Sequence, residues 1–211
     1  MNYLKIDKED VCNGEGLRVV LWLSGCSHKC KGCQNPQTWY ANSGIPFDES
    51  AKEELFRELD KDYISGLTLS GGDPLFEGNL GDVLNLVTEV NKRYNVLRDK
   101  IYVTDKDNNI LMSSPNRIRL STPEKSIWIY TGYEWDHILD PRWHYHQQTT
   151  EKMTIGRWRR QQIISQCDVL IDGKYVDSQK DITLKWRGSG NQRVIDVKKS
   201  LRSGEIILWC G

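Results

Sequence analysis

Hydrophobic and polar positions fall into two periods along this chain. "LRVVLWL", residues 17 to 23, is an unbroken apolar run rich in β-branched residues and predicts a strand buried on both faces. Asp48 is then placed to cap a helix over roughly residues 49 to 60, where Ala51, Leu55 and Leu59 recur at i, i+4 and i+8 among charges. "ISGLTLS" predicts a second buried strand. Beyond "GGDP", the positions Leu80, Val83, Leu84, Val87 and Val90 form the stripe of a second helix. "SIWIYTGY" and "CDVLIDGKY" predict two later strands of the same kind. Strands alternating with helices imply an α/β fold with a largely parallel sheet and right-handed crossovers.

Two stretches break this rhythm. "KIYVTDKDNNILMSS" is apolar, then polar with turn-forming residues, then apolar again, which predicts an inserted hairpin over roughly residues 99 to 122. "DPRWHYHQQTTEKMTIGRWRRQQ" is rich in histidine and cations and reads as an exposed loop entering a helix. Internal repeats, low-complexity tracts and linkers are absent, so residues 1–211 are expected to form a single domain.

Composition narrows the function class. Lysine plus arginine equals aspartate plus glutamate at 29 each, a balance that speaks against nucleic acid or a charged membrane surface as partner. The N-terminus lacks a basic region followed by an apolar one, and no run approaches the roughly 18 apolar residues of a spanning helix. A soluble, cytoplasmic protein is expected, with its six cysteines reduced.

Three of those cysteines crowd into "SGCSHKCKGCQNP". Cys26, Cys30 and Cys33 are spaced C-x3-C-x2-C, which lets one tight loop converge three thiolates without long, entropically costly closure. A structural zinc would need a fourth ligand from His28 or from a distant Cys12, Cys167 or Cys210. An iron-sulfur cube held by three thiolates would instead keep one iron open for another ligand. Spacing alone leaves both alternatives standing. In "LSGGDP", Gly71 and Gly72 stand at the C-terminal end of a predicted parallel strand, where backbone can approach a ligand with no Cβ between them and Asp73 could meet a cationic amine. The same four residues also make an ordinary turn.

Taken together and in order, "GCSHKCKGCQNPQTW", "GLTLSGGDPL", "IWIYTGY", "DVLIDGKY" and "LKWRGSGNQR" resemble the radical S-adenosylmethionine superfamily and, within it, the activating proteins of the anaerobic ribonucleoside-triphosphate reductase. The resemblance covers most of residues 11 to 94, then 127 to 138 and 167 to 193. The stretches near 95–126 and 139–166 fall where compact members of that family are shorter.

The resemblance implies an open or partial (β/α)6 barrel of about six parallel strands, with the site built by loops at the strands' C-terminal ends. It implies that Cys26, Cys30 and Cys33 hold a [4Fe-4S] cluster and that S-adenosyl-L-methionine chelates the remaining iron. Gly71, Gly72 and Asp73 would approach the methionine amino group, Asp73 as much by shaping the turn as by contact, and Thr131 and Asp172 would lie near the methionyl or ribose part. Catalysis would need no side chain beyond the cluster. A low-potential donor such as flavodoxin would supply the electron, and the partner would be the large subunit of the reductase, which would receive a glycyl radical.

Gly32 departs from the wider superfamily, where an aromatic residue often precedes the third cysteine. Arg187, Asn191 and Arg193 would close the site or meet the partner, or else form a solvated loop. Two rival readings remain: a small radical enzyme acting on a small molecule, of the deazapurine-synthase kind, and a zinc or iron-sulfur binding module without catalysis. His144 and His146 make a weak metal candidate, and Arg157, Arg159 and Arg160 beside Trp158 suggest a solvated helix face or a partner contact. Cys12, Cys167 and Cys210 read as small buried residues or surface thiols.

Overall fold

The computed structural model describes residues 1–104, 110–118, 124–139 and 151–210. Strands β1 (Asn2–Asp10) and β2 (Leu17–Leu23) are joined by a connection too short for a crossover, so they pair antiparallel. The short β3 (Ile45–Pro46) adds to the outer edge of β1. Helix α1 (Glu49–Leu59) begins where expected, because the Asp48 carboxylate accepts the Ala51 backbone N–H at 3.0 Å. It leads to β4 (Ile64–Gly71), and α2 (Leu80–Tyr94) then buries Leu80, Val83, Leu86, Val87 and Val90.

The expected hairpin is present as β5 (Val96–Thr104) and β6 (Ile110–Ile118), an antiparallel pair separate from the main sheet. Its turn, "DKDNN", lies outside the described residues. The chain continues through β7 (Ser126–Tyr130), α3 (Trp135–Leu139), α4 (Glu151–Ser165), β8 (Val169–Asp172), β9 (Arg193–Asp196) and α5 (Val197–Ser203). Asp196 caps α5 by accepting from Lys199 N at 2.9 Å.

The main sheet has the order β3-β1-β2-β4-β7-β8-β9 and is not closed. Among the described residues, β2, β4, β7 and β8 run parallel, four strands where about six were expected. The reason lies in the connections: β1 to β2 and β8 to β9 carry no α-helix to return the chain across a face, so the chain folds back antiparallel at both edges.

The central strands divide their side chains by the period of two. Val19, Leu21, Leu67, Leu69, Ile127, Ile129, Leu170 and Ile195 face one way, into the main core with Leu55, Val87, Ile163 and Leu201 of the helices. Trp128, Val169, Ile171 and Val194 face the other way and meet Tyr130, Trp186 and Trp209. Arg18 is fully buried on this second side. Its five N–H donors are all used, by Thr68 Oγ1, Glu15 O, Ser126 Oγ, Leu67 O and Ser126 O, so the guanidinium ties β2 to β4 and β7. Burial lowers its pKa to about 10, which still leaves it charged at neutral pH.

Among the described residues no helix is long and apolar enough to cross a membrane.

Candidate functional site

At the C-terminal ends of β2, β4 and β7 the second face opens into a cleft of about 510 Å³. Its walls bring together Cys26, Cys30 and Cys33 from the loop after β2, Gly71, Gly72 and Asp73 from the end of β4, and Thr131 and Gly132 from the end of β7. The segment between β8 and β9 supplies the opposite wall with Tyr175, Ile182, Trp186, Arg187 and Gln192.

The cysteine loop is held at its root by backbone pairing. Gly25 N donates to Thr38 O at 2.8 Å and Cys26 N to Trp39 O at 3.0 Å, so the two ends of the loop are fastened to each other. Gly72 N donates to Leu23 O at 2.8 Å and Asp73 N to Gly25 O at 2.7 Å, which fastens the root to the turn after β4. This contact explains the two glycines. A Cβ on Gly71, whose φ is +101°, would lie 2.6 Å from the Leu23 backbone, and one on Gly72 would lie 2.4 Å from Gly25 O. The bare backbone thus serves first to admit the cysteine loop. Gly32 has a similar cause: at φ +74° a Cβ would meet the Asp177 carboxylate at 2.4 Å, so a side chain at this position would need Asp177 to move.

All three cysteines are free and partly exposed. Backbone N–H groups are aimed at their sulfurs: those of Lys29 and His28 at Cys26, that of Tyr175 at Cys30, and that of Asn35 at Cys33 over 3.4 Å. Burial nonetheless pushes the Cys26 and Cys30 thiols up, so a metal must displace their protons. Three thiols with backbone donors on one cleft wall are a donor set that could hold an iron-sulfur cluster, whose sulfur ligands are stabilised by such N–H groups. A structural zinc site would take four protein ligands, and beyond the three cysteines the cleft wall offers His28 and Cys12.

Asp73 is the hub of the site. It is 1% exposed and accepts from Leu75 N at 2.8 Å, from Thr131 Oγ1 at 2.8 Å and from Gly132 N at 3.1 Å. The carboxylate therefore joins the ends of β4 and β7. His28 Nε2 lies 2.8 Å from Asp73 Oδ2, the oxygen that also accepts from Gly132 N, but makes no aligned hydrogen bond. Thr131 spends its hydroxyl on Asp73 and is also one of the residues lining the cleft. Asp172 does not reach the cleft wall: its carboxylate is buried, receives Trp135 N at 2.8 Å and is bridged by the Arg193 guanidinium. There it caps α3 and anchors the start of β9.

The glycine-rich segment after β8 closes on itself and on the cleft. Arg187 donates to Gln192 O at 2.8 Å and Asn191 to Lys174 O at 2.8 Å, while Arg187, Gly188 and Gln192 line the wall. Of the other candidates, Arg157 donates to Ile138 O, and Arg160 donates to Leu75 O while lying 4.5 Å from the Tyr133 ring; both thus pack on the protein, and only Trp158 and Arg159 of that cluster point outward. His144 and His146 lie outside the described residues. Cys167 is buried, whereas Cys12 and Cys210 are exposed, with Cys12 on the cleft wall.

Sequence reasoning missed Asn79 and gave His28 only a zinc-ligand role. Asn79 stands just before α2 and reads as a cap, yet its amide reaches Ser24 O at 2.8 Å and Asp73 O at 3.3 Å, tying the cysteine loop to the hub.

Comparison with known proteins adds to this geometry. The profile of a 4Fe-4S single cluster domain matches residues 12–114 and, in a second overlapping match, residues 103–195. The chain is 36% identical to the anaerobic ribonucleoside-triphosphate reductase-activating protein of Enterobacteria phage T4 over 196 residues, 92% of this chain and 93% of the relative. It is 34% identical to the protein of the same name from Escherichia coli K12, covering 92% of this chain and 97% of the relative. The Haemophilus influenzae protein of that name is also 34% identical, over 91% and 96%.

Proposed function

The chain belongs to the family of anaerobic ribonucleoside-triphosphate reductase-activating proteins, and on that premise we propose that it activates the large subunit of such a reductase from within the cytoplasm, as a single domain. The observation that carries this reading is the convergence of Cys26, Cys30 and Cys33 with the Gly71–Asp73 turn on one cleft at the ends of parallel strands. In this reading the three cysteines hold a [4Fe-4S] cluster, and the cleft beside them takes S-adenosyl-L-methionine. A low-potential donor such as flavodoxin supplies one electron, the sulfonium is cleaved to methionine and a 5′-deoxyadenosyl radical, and that radical takes a hydrogen atom from a glycine of the reductase, leaving a glycyl radical there.

This chain's own residues perform orientation. The Asp73 carboxylate, supported by Thr131 and Gly132, fixes the turn whose backbone faces the methionine end of the cosubstrate. Gly173, Trp186 and Gln192 on the far wall would enclose the rest. Asp172, the remaining residue assigned to the cosubstrate, acts through Arg193 and α3 rather than by contact.

The test is anaerobic incubation of the reconstituted protein with a class III reductase, S-adenosyl-L-methionine and a reductant, read by electron paramagnetic resonance. A glycyl radical doublet on the reductase supports the reading. Turnover of a small molecule with no radical on the reductase would replace it with the small-substrate alternative.

A further inference from the structure

His28 has a placement that neither the cysteine spacing nor the family relation explains. It lies between Cys26 and Cys30 on the cluster loop, where a polar side chain would ordinarily point to solvent, yet its side chain is only 9% exposed. The ring folds back into the cleft and rests on Gly132, where a Cβ would come within 2.4 Å of the imidazole. Tyr133 meets it edge-on at 4.6 Å, and the Tyr133 hydroxyl is in turn held by Arg160 at 3.2 Å. A built pocket therefore receives this imidazole. Within it, Nε2 is buried, stands 2.8 Å from Asp73 Oδ2 and has no aligned acceptor. The separation is within hydrogen-bond reach of an oxygen that also accepts from Gly132 N at 3.1 Å, and a buried polar nitrogen gains by pairing with it.

The neighbouring backbone makes the position matter. Lys29, next in sequence, adopts φ +45°, a left-handed conformation uncommon for a residue with a side chain. The loop thus turns sharply between its first and second cysteines, while the backbone and side-chain bonds that fasten its root are made at Ser24, Gly25 and Cys26. Between the first and second cysteines, His28 is the residue whose side chain reaches the carboxylate of the Gly71–Asp73 turn.

We propose that His28 is a positioning residue: its imidazole fastens the middle of the cysteine loop to the Asp73 carboxylate and so sets the distance between the cluster and the turn that receives the amino-acid end of S-adenosyl-L-methionine. The proposal rests on the function proposed above and adds a determinant of cosubstrate affinity to it.

The test compares His28→Leu, which keeps apolar bulk and removes the nitrogen, with His28→Gln, which restores an N–H donor at similar reach. Each full-length protein is reconstituted anaerobically, its iron and sulfide are counted, and the reduced-cluster resonance is titrated with S-adenosyl-L-methionine. The expected result is wild-type iron content in both variants, a midpoint raised about tenfold in His28→Leu, and recovery toward wild type in His28→Gln, the size of effect that second-layer partners of metal ligands have. KM for the cosubstrate should rise in His28→Leu more than kcat falls. A His28→Leu titration matching wild type would overturn the proposal, because bulk alone would then suffice. Loss of iron in both variants would also overturn it, making His28 part of cluster retention. If the wild-type resonance itself did not respond to S-adenosyl-L-methionine, the underlying function would fail first, and the two failures are thereby distinguished.

Discussion

The two faces of the main sheet are made by the same strands and do different work. On the helix-covered face, Leu21, Leu69, Ile129 and Leu170 are fully buried among Leu55, Val87 and Ile163, and the interactions are apolar and non-directional. On the other face, Arg18, Thr68 and Asp73 are equally buried but are each satisfied by specific hydrogen bonds, and the strand ends open into the cleft. A side chain on the first face is replaceable at modest cost by another apolar one of similar volume. One on the second is tied to named partners, so its loss removes position as well as energy.

The sharpest way to break this comparison is Cys30→Ala, on the cleft side. It should abolish cosubstrate cleavage, a loss of at least about a thousandfold in 5′-deoxyadenosine formation, while circular dichroism and the thermal midpoint of the cluster-free protein stay near wild type. Retained cleavage would remove Cys30 from the ligand set.

Leu69→Ala tests the opposite face. The cavity it leaves should cost about 2–5 kcal/mol in denaturant unfolding, yet below its lowered midpoint the variant should still take up a full complement of iron and sulfide. Loss of cluster uptake at a temperature where the variant is folded would show that the faces are not separable.

Gly71→Ala sits on the border between them. The new methyl would press on the Leu23 backbone at a residue whose φ is +101°, so we expect about 1–3 kcal/mol of destabilisation together with reduced cluster uptake, because the same contact seats the cysteine loop. Destabilisation without any loss of uptake would detach the turn from the loop.

Arg18→Met sharpens the reading of buried polar order. It leaves Leu67 O and Ser126 O without their donor and should cost about 2–4 kcal/mol, measured by urea unfolding. The smallest effect belongs to Ile182→Ser, at a residue 89% exposed on the cleft rim; stability should move by less than about 0.5 kcal/mol. A larger change would mean that the segment after β8 packs more tightly than its exposure indicates.

Much of this was legible in the sequence for a physical reason: hydrophobic period and helix capping are local. The run at residues 17–23 became β2 with the same limits, Asp48 capped α1, and the apolar–polar–apolar stretch became the β5–β6 pair. The cysteines, too, announced themselves, since three thiols at short spacing can be brought together by their own loop. What only the tertiary structure decided concerns contacts between segments far apart in the chain. The antiparallel edges, the open sheet and the count of four parallel strands depend on where the chain crosses or turns back, and β1, β3 and β9 carry little apolar signal of their own. Likewise, only the structure shows that Gly71 and Gly72, which line the cleft, also seat the cysteine loop, and that the Asp172 carboxylate holds Trp135 N of α3 and Arg193. Residue type and spacing determined what chemistry this chain can hold; packing across the sheet decided which side chains face it, because a hydrogen bond or a steric contact selects its partner only once both segments are in place.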